Sequence, residues 1–251
     1  MNSKTGMAAD ASLKSTDKTS QSTLQHPIDP TEFGTTGKLF DEIRDFLSLH
    51  PGLPKESVLK LTYFAFAILF AESFGPWLFA SVVAPDTVGS SLLLRMLACV
   101  CINPAQIGEF SLNALLTLPQ SPRPSVLLID QLTRSKELER VLRVMSRPGS
   151  PIIHKGEFRD VSIPALVCTA EPLRDQCILD QALHVTLTPT RGPLPRFDHH
   201  ALNESARKLK GKLNLYRERN LEKVRKLAFR CAETELADAR GRDHARKLDR
   251  G

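Results

Sequence analysis

The chain has 251 residues, 41% of them hydrophobic, and a formal net charge of +6. That length and apolar content exclude a wholly disordered chain and suffice for one sizeable domain with an appendage. The charge is uneven: Arg196 to Gly251 hold 16 Lys/Arg against 9 Asp/Glu, a net +7 that leaves the rest of the chain at −1. A near-neutral body with a basic tail predicts a polyanion partner such as nucleic acid, while many basic helices are only solvated surfaces.

Met1 to about Gly34 is rich in Ser, Thr, Lys, Asp and Gln and has no apolar core of the signal-peptide kind, which predicts a disordered leader over 1–35. Lys38 to Leu49 carries Leu39, Ile43, Phe46 and Leu47 at helical spacing, and Pro51 to Pro54 separates it from a second helix expected from Lys55 to about Phe74. Leu61 to Ala71 is strongly apolar but only about half as long as a bilayer crossing requires. With Glu72, Gly75 and Pro76 following, it is expected to be a buried helix, and no membrane partner is expected.

An α/β pattern begins at Trp77. The run Trp77 to Val83 predicts a strand, Ser90 to Cys101 a buried helix, and Ser125 to Ile129 a central parallel strand ending in Asp130. Lys136 to Met145 is an amphipathic helix, Pro151 to Phe158 a hairpin, Ile163 to Cys168 another buried strand and Ala182 to Leu187 an edge strand. From Phe197 onward apolar residues recur every three or four positions, which predicts one basic helix or a pair. The expected organisation is a helical lead-in over 36–75, an α/β core over 76–195 with a mostly parallel sheet, and a basic helical extension over 196–251. Cys99, Cys101, Cys168, Cys177 and Cys231 are odd in number and lack paired zinc spacing, so they are expected to be reduced, mostly buried thiols of a cytoplasmic protein. His199 and His200 have no Cys or acid at ligand spacing and are expected to be exposed helix-start residues.

The chemistry-bearing turn follows the first strand as Ala84-Pro85-Asp86-Thr87-Val88-Gly89-Ser90-Ser91. A phosphate-binding loop of the form GxxxxGK[ST] turns backbone N–H groups onto an anion, reaches its outer phosphates with Lys and holds magnesium with Ser/Thr. Gly89 and Ser91 match that form, whereas Ala84 replaces the first glycine and Ser90 the lysine. Ser125 to Gln131 has the four apolar residues and Asp130 of a magnesium-binding strand, with Gln131 where a water-orienting acid would stand. Other readings of these residues are local: Ser90 or Ser91 as a helix N-cap, and Asp130 as the cap of the next turn.

The order and spacing of these segments resemble the AAA-type P-loop ATPase module of helicase-like and primase-like replication proteins of phages and mobile elements. The resemblance covers about residues 60–227. It implies a three-layer P-loop NTPase-type fold, a nucleotide site formed by Gly89, Ser90, Ser91, Asp130 and Gln131, a small polar sensor near Thr169, and Gln181 at the place of an arginine that reaches a neighbouring subunit's nucleotide. It also implies magnesium on Ser91 and Asp130, and ATP with magnesium as the candidate cofactor. Ser90, Gln131 and Gln181 stand where this family keeps its catalytic groups, so loss of hydrolysis is expected and no residue is assigned as catalytic. The expected function is a degenerate ATPase-like module that acts by binding nucleic acid, through Arg207, Lys208, Lys210, Lys212, Arg217 and Arg219, or by joining ATPase subunits or copies of itself. The alternatives are a weak NTPase with its missing lysine supplied from elsewhere, Lys155 being the candidate, and an adaptor without nucleotide contact.

Overall fold

The computed structural model describes residues 30–74, 78–108, 111, 115–116, 118, 123–130, 136–145, 151–154, 156–189 and 199–248. Helix α1, Thr36–Ser48, starts where the Thr35 hydroxyl accepts the Lys38 N–H at 3.2 Å, and it buries Leu39, Ile43 and Leu47 on one face. Helix α2, Lys55–Ile68, follows Pro54 and buries Leu61, Phe64, Ala65 and Ile68. The sequence predicts one helix to Phe74, but α2 ends at Ile68 and a short α3, Ala71–Phe74, follows. The break frees the Leu69 carbonyl, which accepts Arg217 Nε at 2.9 Å. Residues 30–35 are also more ordered than their composition predicts: Phe33 is buried and Thr35 caps α1.

Five parallel strands form one sheet: β1, Phe79–Val83; β2, Pro104–Ile107; β3, Val126–Ile129; β6, Ala165–Thr169; and β7, Ala182–Thr186. Their order is β2-β3-β6-β1-β7, so β6 lies between β1 and β3. Strands β4, Ile152–His154, and β5, Glu157–Arg159, make the expected hairpin. Strand β2 has no alternating apolar signal and begins with proline, which an edge position tolerates because no sheet partner needs its missing N–H. Helix α4, Thr87–Val100, leaves β1; α5, Lys136–Met145, follows β3; and a short α6, Gln176–Leu179, follows β6. Neither β2 nor α6 is predicted by periodicity.

Alternation along the strands feeds two apolar layers. Ala80, Val82, Leu128, Leu166 and Cys168 face α1, α2, α4 and the C-terminal helix, whereas Phe79, Leu127, Ile129, Ala165 and Val167 face α5 and α6. The result is an α/β architecture with apolar packing on both faces of the sheet. Helix α7, His199–Leu248, is one 50-residue helix and not a pair. Its Leu209 and Leu213 belong to the same core as α1 and α2, so the lead-in and the extension pack together against one face of the sheet. Among the described residues no helix is long and apolar enough to cross a membrane.

Candidate functional site

The loop after β1 turns toward the α4 face, while the chain after β3 and β6 turns toward the α5 and α6 face. Where neighbouring connections diverge in this way, the carboxyl ends of parallel strands leave a crevice. Ala84, Asp86, Gly89, Ser90, Ser91, Asp130 and Thr169 gather at that edge. The Ala84 N–H donates to the Thr169 carbonyl at 2.9 Å, which joins the ends of β1 and β6.

The contacts are specific. Ser90 Oγ donates to Asp130 Oδ1 at 2.9 Å and Ser91 Oγ donates to Asp130 Oδ2 at 2.5 Å, so one carboxylate at the end of β3 receives both hydroxyls from the first turn of α4. Ser90 is fully buried. The N-cap of α4 is Asp86 and neither serine, and the helix begins three residues before the expected Ser90. Asp86 Oδ1 accepts the Gly89 N–H at 2.5 Å. The carboxylate lies so close that a Cβ on Gly89 would stand 2.9 Å from Asp86 Oδ1, so a larger residue here would require the Asp86 side chain to shift from its cap. An acidic N-cap is favourable because it satisfies orphan N–H groups and lies at the positive end of the helix.

His50, in the loop between α1 and α2, closes the site from behind and is not foreseen from sequence. It is 2% exposed; its Nδ1 accepts the Gly52 N–H at 3.2 Å, so the proton sits on Nε2, which donates to the Gly89 carbonyl at 2.9 Å. Burial holds its pKa below the ordinary histidine value, although the Gly89 carbonyl and the nearby Asp86 charge favour protonation. His50 is therefore neutral in the folded chain. Because its folded pKa lies below its unfolded one, its contribution to stability is present above the unfolded pKa and is lost as pH falls below it. The melting temperature is expected to fall between about pH 7.5 and about pH 5.5 by more in the wild type than in His50→Gln, as thermal denaturation followed by circular dichroism will show.

Thr169 is 3% exposed, and its Oγ1 has no hydrogen-bond partner among the described residues. Cys168 beside it is fully buried, and that burial pushes its thiol pKa up, with the Asp130 charge adding to the shift. Gln181 does not join the site. It is an exposed turn residue directly before β7, and the parallel pairing of β7 with β1 puts it at the opposite edge of the sheet. Gln131 and Lys155 lie outside the described residues.

A nucleoside triphosphate with magnesium is what the sequence resemblance implies, and the residues present do not fit it. One of the N–H groups that a phosphate would use, that of Gly89, is taken by the Asp86 carboxylate, no lysine follows Gly89, and both serine hydroxyls donate to Asp130. Apart from Thr169 Oγ1, the arrangement is a self-satisfied polar network with one carboxylate already built into the loop.

The six basic residues expected to meet nucleic acid are held in different ways. Lys212 pairs with Glu42 at 2.5 Å, and Arg217 reaches Glu72 at 2.8 Å as well as the Leu69 carbonyl. Arg219 forms a two-pronged pair with Glu32 and stacks over Phe33 at 5.4 Å. Lys210 is half-buried beside Cys99 and Cys101, and that burial lowers its pKa. Lys208 pairs with Glu204 along the helix at 2.8 Å, and Arg207 is exposed. Lys212 and Arg217 thus fasten α7 to the lead-in, and Arg219 fastens it to the residues just before the lead-in. Cys99, Cys101 and Cys168 are buried, Cys177 and Cys231 are exposed, and all five are free thiols. No family model matches the chain, and no curated protein matches it.

Proposed function

We propose that this chain is a catalytically degenerate P-loop ATPase-like module of a mobile-element or DNA-replication-associated protein, which acts by binding nucleic acid or ATPase subunits and not by hydrolysis. The observation that carries the reading is the contact set at the start of α4: a strand, loop and helix unit whose two serines meet the aspartate of a second strand across an intervening one, with Asp86 filling the anion position. The meeting of a helix-start hydroxyl with an aspartate at a strand end is what a magnesium-nucleotide site requires, which supports descent from the P-loop type. The loss of the charged groups that stabilise phosphoryl transfer supports the loss of turnover, because each removed group typically costs several kcal/mol of the barrier. The five free thiols support a reducing, cytoplasmic setting.

Phosphate release from ATP with magnesium tests it. Wild type and Asp130→Ala are expected to be equal to each other and to a protein-free blank. Turnover in the wild type that Asp130→Ala abolishes would sink the reading in favour of a working NTPase.

A further inference from the structure

Helix α7 carries its cations in a pattern that its composition does not reveal. An α-helix turns about 100° per residue. Lys208, Lys212, Arg219, Lys223, Lys226 and Arg230 follow one another at spacings of four, seven, four, three and four residues, which brings all six into a sector about 60° wide. Glu218 and Glu222, the two acids between Ser205 and Arg230, lie outside that sector, as do Arg207, Lys210, Arg217 and Arg225. The stripe runs about 33 Å along the helix, close to the roughly 34 Å of one turn of duplex DNA. It flanks the apolar side through which Leu209, Leu213, Tyr216 and Val224 join the core. Lys208, Arg219, Lys223, Lys226 and Arg230 are exposed.

We propose that this stripe is a docking surface for the phosphate backbone of duplex nucleic acid, partly neutralised by the chain's own Glu32 and Glu42. The inference rests on the reading of the chain as a module that acts by binding, and it narrows the cations involved. Glu42 holds Lys212 and Glu32 holds Arg219 in the middle of the stripe, so two carboxylates stand where phosphates would bind. Charged contacts of this kind carry no base sequence and fix only position on the backbone. A lipid surface fits less well, because the apolar side of α7 is committed to the core through Val224, and the exposed Leu227 and Phe229 lie about 160° apart around the helix and form no single apolar face.

The test is fluorescence anisotropy of the full chain with a labelled duplex of about 30 base pairs, from about 50 to about 300 mM salt. The logarithmic salt slope for the wild type is expected to be about −2, because Lys223 and Lys226 each make a phosphate contact worth about −0.9, while Lys208, Lys212 and Arg219 are engaged by Glu204, Glu42 and Glu32. Lys223→Gln/Lys226→Gln is expected to lose about tenfold in affinity at about 100 mM salt and to flatten the slope by about 2, while Arg207→Gln stays within about twofold. Glu32→Gln/Glu42→Gln is expected to bind more tightly with a slope steeper by about 2. Circular dichroism of each variant checks its fold. The proposal is overturned if the wild type does not bind the duplex, if binding is insensitive to salt, if Lys223→Gln/Lys226→Gln binds as the wild type does, or if the chain binds anionic vesicles and not DNA. A nucleotide titration on the same sample reads out the P-loop assignment separately, so failure of one leaves the other standing.

Discussion

Replacing Asp130 with alanine is expected to destabilise the chain by about 3 kcal/mol in urea denaturation. Asp130 is the common acceptor of Ser90 and Ser91, and Ser90 is fully buried. Truncation removes the carboxylate that accepts from both hydroxyls; a hydrogen bond to a charged group is worth about 1.5–3 kcal/mol, and Ser91 adds a smaller share. Asp130→Asn is expected to lose less, because a carboxamide oxygen still accepts one hydroxyl while the second serine rotates to accept from the amide. The pair of variants separates a structural carboxylate from a metal-holding one. If the carboxylate were kept to hold magnesium, truncation would weaken metal binding and leave the metal-free melting curve unchanged; a neutral effect on stability would contradict the network described.

The second large effect is a gain. Asp86→Ser keeps a hydroxyl cap for α4 and removes the charge that occupies the anion position, so affinity for magnesium-ATP or pyrophosphate is expected to rise at least about tenfold. At a separation of about 4 Å and an effective dielectric constant of about 20, two like charges repel by about 4 kcal/mol. Even a strongly screened fraction of that exceeds a tenfold change. Calorimetric titration with pyrophosphate, with and without magnesium, reads the effect. Unchanged affinity in a folded variant would mean that Asp86 is not what closes the loop.

Much of the fold is legible in the sequence, because most of its elements are punctuated or periodic. Helix α5 has the bounds predicted from its amphipathic spacing, and β3 and β6 follow from continuous apolar runs that only a sheet covered on both faces explains. Strand β2 escapes because an edge strand starting at Pro104 is neither apolar nor alternating. The division of the long apolar stretch into α2 and α3 escapes because the stretch is apolar throughout, and the contact that satisfies the freed Leu69 carbonyl comes from Arg217, 148 positions away.

The candidate site was legible only in part, since Gln181 lies at the opposite edge of the sheet. Gly89, Ser90, Ser91 and Asp130 are local pattern residues, and they meet. Asp86 as the cap of α4 has a local signal too, an aspartate three residues before the N–H it accepts, but the serines that follow offer competing caps. His50 has no local signal, since its neighbours make it a loop residue and only the packing of that loop behind α4 gives it a role. The basic helix shows the opposite limit. Charge density marks it, but which cations are spent on Glu32, Glu42 and Glu72 depends on how the lead-in folds back over it.

The polar network of Asp86, Gly89, Ser90, Ser91 and Asp130 is proposed to be the closed remnant of a nucleotide site. Titration of the wild-type chain with a fluorescent ATP analogue, with and without magnesium, tests it most directly. The account predicts no saturable binding up to about millimolar nucleotide, an affinity weaker than about −4 kcal/mol. Saturable binding in the micromolar range that requires magnesium and is lost in Asp130→Ala would contradict it, because Asp86 would then have to leave the Gly89 N–H whenever nucleotide arrives.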